Sequence, residues 1–270
     1  MLLAVDTGGT KTLVTSFDHD GTPGEKYRFE TPKDPDDYLA TLIDLIHQHY
    51  DTKQLDAVVI AAPGIIRDNV VEWAGNLGWK KFDLVSALRT FLACPVWLEN
   101  DANLAGLAET RALEVIPPQS LYVTISTGIG SGIIVSGQIA PELSASEAGH
   151  ALVEYDGKVR TWESFASGSS IKKTYGSYAR DIHDEKVWAQ IADKISRGFL
   201  VLIPILQPDI IIIGGSIGTY FHRYDKELRH LLRTHLPDHI NLPKIQQAAH
   251  PEEAVLYGCY YYGRDQLARN

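Results

Sequence analysis

The feature that most constrains the fold occurs twice: an apolar strand, a Gly- and Thr-rich turn, then a second apolar strand. The first copy begins at Leu2, turns through Asp6-Thr7-Gly8-Gly9-Thr10-Lys11 and continues to Phe17. The second begins about 120 residues later at Leu121, turns through Thr127-Gly128-Ile129-Gly130-Ser131-Gly132 and ends near Val135. Strands flanking a glycine-rich turn predict a β-hairpin. Each hairpin opens a series of alternating strands and helices. The chain therefore reads as a two-lobed α/β protein with a cleft between the lobes.

In the first half, residues 25–30 read as a third strand. Residues 36–50 read as a helix with a stripe of Leu39, Leu42, Ile43, Leu45 and Ile46 behind the cap signal Asp34-Pro35. Strands follow at 56–62 and 95–98, with a helix at 82–92 between them and an Ala/Leu-rich helix at 102–112. In the second half a long helix fits 185–204, with Val187, Ile191 and Ile195 four residues apart. Residues 209–213 form an almost pure isoleucine strand, suited to burial on both faces, which runs into Gly214-Gly215. Residues 220–235 look helical. The expected lobes are 1–101 together with a terminal helix from about 255 to 270, and 102–254.

Composition excludes several classes. The net charge of −9 argues against a nucleic-acid surface, which needs clustered Lys and Arg. No apolar run approaches the ~20 residues that span a bilayer; the longest, 199–206, contains Pro204 and reads as core. The two cysteines, Cys94 and Cys259, make neither a disulfide framework nor a Cys-rich zinc site, and the opening MLLAVD is too short for a secretory leader. A reducing cytoplasm is the expected compartment.

Four segments carry chemistry. The Gly8-Gly9 turn lets the backbone approach an anion, with Thr10 and Lys11 adding a hydroxyl and a charge. Asp6 at the strand end suits a Mg²⁺ ion held through water. A plain hairpin turn explains the same residues. The Thr127-Gly128 turn repeats the pattern, and two such turns could grip a triphosphate from both sides. In Leu98-Glu99-Asn100-Asp101, the last two residues fall at a helix start, where Asn and Asp are preferred caps; alternatively, the Asp101 carboxylate collects the proton of an attacking hydroxyl. Finally, Glu147-Ala148-Gly149-His150 and Glu163 are residues of the kind that read sugar hydroxyls.

In this order the segments resemble the ROK family (repressors, open reading frames and kinases) of the actin/hexokinase-like ATPase superfamily. Asn76-Leu77-Gly78-Trp79 is similar to that family's stretch near the sugar pocket, and Ile213-Gly214-Gly215 to its adenosine-binding turn. The resemblance implies an ATP-dependent hexose kinase with Mg²⁺ and with Asp101 as catalytic base. It implies Asn76, Asn100, Glu147, His150 and Glu163 as sugar ligands. Gly8, Gly9, Thr10, Lys11, Thr127 and Gly128 match phosphate-loop positions, and Gly214 and Gly215 match the adenosine-binding turn. Glucose leads as substrate, with fructose, mannose, N-acetylglucosamine, N-acetylmannosamine and allose behind it.

Homodimers are common in that family, and Tyr257 to Tyr262 could serve an interface or pack on its own lobe. The family's repressors carry a winged-helix module ahead of the first strand; here that strand starts at Leu2, so neither module nor DNA is expected. Two rivals remain: a non-catalytic sugar-binding protein, which intact Asp6, Lys11 and Asp101 weigh against, and another actin-like ATPase. One departure stands out. Many members place a Cys-rich zinc segment between the histidine and the downstream glutamate, whereas Ala151 to Trp162 contains no cysteine. No zinc is expected, and packing of Trp162 and Phe165 would have to hold Glu163.

Overall fold

The computed structural model describes residues 1–250 and 253–269. The chain divides into two compact units, Met1–Ala108 with Glu252–Asn270, and Glu109–Pro251. The first unit is built on strands β1 (Leu2–Thr7), β2 (Lys11–Phe17), β3 (Tyr27–Glu30), β4 (Ala57–Ala62), β5 (Ile65–Arg67), β6 (Val70–Ala74), β7 (Trp79–Phe82) and β8 (Val96–Asn100). Its main sheet has the order β3-β2-β1-β4-β8. The first three strands pair antiparallel, and β4 and β8 run parallel to β1. All six residues of β4, Ala-Val-Val-Ile-Ala-Ala, are buried, as a parallel strand covered on both faces requires.

Helix α1 (Pro35–His49) starts where Asp34 accepts from the amides of Asp36 and Asp37, with Pro35 in its first turn. Its innermost stripe is Tyr38, Leu42 and Ile46. Tyr38 joins the expected aliphatic residues because its hydroxyl finds a partner inside, a 2.6 Å hydrogen bond shared with Thr7 Oγ1. Helix α2 (Leu84–Arg89) is capped by Asp83, and α3 (Asp101–Arg111) follows β8 without a break. The boundary between units therefore falls within α3, whereas the sequence had placed it at the helix start. The C-terminal helix Ala254–Arg269 lies close on this unit. A Cβ at Gly258 would sit 2.0 Å from Leu104 O, and one at Gly263 2.2 Å from Leu2 Cδ1. Tyr257 and Tyr260 pack against Phe17 at ring separations of 5.2 and 5.1 Å, so these two residues of the expected aromatic cluster pack within their own unit.

The second unit has strands β9 (Gln119–Ile125), β10 (Ile129–Val135), β11 (Gln138–Ile139), β12 (Leu152–Tyr155), β13 (Lys158–Thr161), β14 (Ile210–Gly214) and β15 (Lys244–Gln247). Its sheet order, β11-β10-β9-β14-β15, repeats that of the first unit: an antiparallel meander followed by two strands parallel to its first member. The recurrence of the two hairpins in the sequence is thus a recurrence of whole sheets.

Helices α4 (Glu163–Ala166), α5 (Gly168–Tyr175), α6 (Glu185–Leu206), α7 (Gly215–Gly218) and α8 (Asp225–His235) complete this unit. Trp188, Ile191, Ile195, Phe199 and Ile203 form the buried stripe of α6, and Pro204 lies inside its last turn. The expected helix at 220–235 is broken: a 3₁₀ turn at Phe221–Arg223 precedes α8, with buried Tyr224 at the junction. Several features went unread in the sequence, among them the three-stranded sheet β5-β6-β7, the β12–β13 hairpin, helix α5 and the edge strands β11 and β15.

Candidate active site

In the first unit, the β1–β2 turn is closed by Gly8 N donating to Lys11 O at 3.0 Å. A Cβ on Gly8 would lie 2.8 Å from that same oxygen, so the turn requires glycine there. Among the described residues, the amides of Gly9 and Thr10 take no hydrogen-bond partner, while the carbonyls around them are held. Thr31 N donates to Thr10 O at 2.9 Å, and Lys33 Nζ donates to Gly9 O at 2.7 Å. The turn presents donors on one side and is anchored on the other, which is the form an anion cradle takes. Lys33 also donates to Asn76 O at 2.7 Å, which brings the Asn76 loop against the turn.

Asp6 lies near the carboxyl end of β1, and Asp101 directly follows the carboxyl end of β8. These ends are where open α/β sheets bind ligands. Asn100 takes the cap of α3: its Oδ1 accepts from Ala102 N at 2.8 Å and Asn103 N at 3.1 Å, and its Nδ2 donates to Gly64 O at 2.9 Å. Asp101 Oδ1 accepts from Ala102 N at 2.8 Å, and its second oxygen takes no partner among the described residues. Glu99 is committed locally, accepting from Asn100 N and Asn103 Nδ2.

Burial, and then the charge of Asp101, pushes the Asp6 carboxyl up to about 7, against the pull of Lys11. Burial also raises Asp101, opposed by backbone amides at the helix start.

This pair fits a divalent cation bound mainly through water and substrate oxygens, since a cation beside Asp6 offsets the burial and repulsion that strain its charged form. Among the described residues, no group of three or more His, Cys, Asp or Glu could by itself hold a metal.

In the second unit, Ser126 N donates to Gly128 O at 2.9 Å to close the β9–β10 turn, and Gly168 N donates to Ser126 O at 2.6 Å. Glu163 reaches this turn from α4. Its Oε2 accepts from Ile129 N at 3.2 Å and would lie 2.9 Å from a Cβ on Gly128. His150 sits between two carboxylates, Nε2 to Glu163 Oε1 at 3.4 Å and Nδ1 to Glu147 Oε2 at 3.5 Å. The expected sugar-reading trio is thus one cluster. Gly149 makes the approach, since a Cβ there would lie 2.2 Å from Ile129 O.

The cysteine-free segment 151–162 is largely the β12–β13 hairpin. It turns at Asp156-Gly157, both with positive φ (52° and 70°), the geometry that Asp-Gly favours. Trp162 closes it, N to Ala151 O at 2.9 Å. The Trp162 indole is fully buried, donates to Lys194 O at 3.2 Å and fills the notch over Gly198, where a Cβ would lie 2.1 Å away. Phe165 stacks on Tyr155 at 4.5 Å. Packing therefore anchors both ends of the short helix that carries Glu163.

Beside the Thr127 turn the second unit holds a cavity of about 470 Å³, lined by Thr127, Lys172, Tyr178, Arg180, Ser216 and Tyr220 among others. Gly215 enters α7 at φ 77°, with room for no side chain: a Cβ would lie 2.6 Å from Ile125 O. Lys172 Nζ donates to the Tyr178 hydroxyl at 2.5 Å and draws it below the usual tyrosine range, and Arg180 lies 4.9 Å from the same ring. Lys172, Tyr178 and Arg180 were not foreseen. The candidate residues thus form two sets. Asp6, Gly8, Gly9, Thr10, Lys11, Asn76, Asn100 and Asp101 belong to the first unit. Thr127, Gly128, Glu147, His150, Glu163, Gly214 and Gly215 belong to the second.

The chain is similar to a putative fructokinase from Bacillus subtilis (strain 168), 31% identical over 236 residues that cover 80% of this chain and 77% of that one. Its structure is similar to an inorganic polyphosphate/ATP-glucomannokinase from Arthrobacter sp. strain KM, with a TM-score of 0.76, 28% identity and 98% of each chain covered. It is also similar to a ROK family glucokinase from Streptomyces griseus solved with glucose and AMPPNP, with a TM-score of 0.81, 22% identity, and 98% of this chain and 99% of that one covered. These structures share the α/β fold expected from the two hairpins. Residues 2–265 match the ROK family, and with the motifs placed as above, the chain belongs to it.

Proposed function

We propose that the chain is an ATP-dependent hexose kinase, with glucose as the first candidate substrate. Fructose, mannose, N-acetylglucosamine and N-acetylmannosamine follow. The observation that carries this reading is the division of labour at the end of β8, where Asn100 caps the helix and leaves a carboxylate oxygen of Asp101 unengaged. That is the group a phosphoryl acceptor needs.

In this reading the sugar hydroxyl oxygen forms a bond to the γ-phosphorus as the bond to the bridging oxygen of ADP breaks, and the hydroxyl proton passes to Asp101. The free amides of Gly9 and Thr10, with Lys11, bind phosphate oxygens, and the Thr127-Gly128 turn of the second unit is a phosphate-binding candidate of the same kind. Magnesium, when bound with ATP, would neutralise charge on the phosphate oxygens, and Asp6 would hold it through water. Glu147, His150 and Glu163 read the sugar hydroxyls; their mutual contacts hold acceptors and a ring nitrogen at set spacings, and specificity arises from such fixed polar groups. The cavity beside Thr127 takes the adenosine.

The test is a coupled ADP-release screen across these hexoses with ATP and magnesium. Hexose-dependent ADP production is expected. Sugar binding without ADP release from any of them would instead identify a sugar-binding protein without catalysis.

A further inference from the structure

Lys33 is an exposed residue just after β3, in a stretch that a sequence reading treats as a connection. Its ammonium nevertheless makes two bonds of equal length, to Gly9 O and to Asn76 O, each at 2.7 Å. Its own carbonyl accepts from the indole of buried Trp79 at 2.9 Å, which fixes the Lys33 backbone against the far end of the Asn76 loop. The two segments also approach closely: a Cβ on Gly9 would lie 3.4 Å from Asn76 Cβ. One charged group thus bridges the carbonyls of the Gly8–Lys11 turn and of the Asn76-Leu77-Gly78-Trp79 loop.

Two physical consequences follow. Gly9 O belongs to the same peptide unit as the Thr10 amide, one of the two unpartnered donors of the turn. A cation on the oxygen polarises that peptide and makes its N–H a stronger donor to an anion. Hydrogen bonds of this kind span about 2.7–3.2 Å and are lost by about 3.6 Å. A ligand that shifts either loop by roughly an ångström breaks one arm of the bridge, and a ligand that settles either loop stabilises the other.

Resting on the kinase reading above, we propose that Lys33 is a positioning residue. It couples the phosphate-binding turn to the sugar-side loop, so that occupation of one raises affinity at the other. Because it is exposed and its bonds go to loop carbonyls, its removal is expected to leave the fold intact.

The test is calorimetric titration of wild type, Lys33→Met, Lys33→Gln and Lys33→Arg with AMPPNP and with a hexose, glucose first, each alone and in the presence of the other. Linkage requires the two ligands to affect each other by the same factor. Wild type should show mutual tightening of about fivefold or more. In Lys33→Met the factor should fall towards one, and Lys33→Arg should retain part of it. Should the methionine variant fail to fold, Lys33→Gln, which keeps a donor but no charge, should show the same loss.

A wild-type factor preserved in the methionine or glutamine variant overturns the coupling, even if nucleotide affinity alone weakens, because Lys33 would then be only a nearby charge. A wild-type factor of one overturns it too. Wild type that binds neither ligand rejects the kinase reading itself, a separate outcome.

Discussion

Asn100 Oδ1 accepts from the amides of Ala102 and Asn103 at 2.8 and 3.1 Å and so caps the helix whose first residue is Asp101. Adjacent residues of similar chemistry therefore have different duties. Either could have capped the helix, and the sequence left both uses open. With Asn100 committed, Asp101→Asn keeps the cap, the packing and the side-chain volume while removing the proton acceptor. Turnover should fall by about 10²- to 10⁴-fold, with no loss of melting temperature. Asn100→Ala should do the reverse in kind, costing about 1–2 kcal/mol of stability through the lost cap, read by denaturant unfolding. Near-wild-type turnover of Asp101→Asn would remove Asp101 as the base.

Asp6 sets a pH dependence of stability. Its carboxyl lies near the usual 3.8 in the unfolded chain and at about 7 in the folded one. Between those values the folded protein binds the extra proton, so stability contributed by this group falls as pH rises from about 4 to about 7 and is level above. Asp6→Asn removes the effect. In the ligand-free protein its melting temperature should exceed that of wild type at pH 8 by more than at pH 5. A gap independent of pH would mean that Asp6 is not buried against Asp101 as described.

How much of this was legible depended on whether a signal was local. The two hairpins, the caps at Asp34 and Asn100 and the isoleucine strand are written in consecutive residues. The β12–β13 hairpin was equally legible in Asp156-Gly157, the dipeptide that favours a tight primed turn. The turn between β5 and β6, with Asp68 and Asn69 at φ 50° and 62°, carried a similar signal. Lys172, Tyr178 and Arg180 were not legible: each is an ordinary surface residue until folding brings α5 and the segment after it beside the Thr127 turn. Lys33 is the same case, because its two acceptors lie 24 and 43 residues away.

The β12–β13 hairpin, which contains no cysteine, should make the protein independent of zinc. Its closure rests on the Trp162–Ala151 backbone bond and on the buried Trp162 and Phe165, none of which needs a metal. Metal analysis of purified protein should find no stoichiometric zinc, and a chelator should leave the melting temperature unchanged in the absence of nucleotide. Stoichiometric zinc, or unfolding by chelator, would contradict this account of how Glu163 is held.

Gly198 offers the sharper test of that support. It lies in the middle of α6, where alanine would ordinarily be the better helix former by about 1 kcal/mol. A Cβ there would meet the Trp162 indole at 2.1 Å, so either the helix or the ring must move. Overpacking of this kind costs about 1–3 kcal/mol, and the net effect of Gly198→Ala should be destabilising despite the propensity gain. The ring leads directly into α4, so displacing it also displaces Glu163, which links Ile129 N to His150. The hexose KM should rise, and by more than the ATP KM. Gain of stability in Gly198→Ala with an unaltered hexose KM would show that the Trp162 notch is not what holds the glutamate in place.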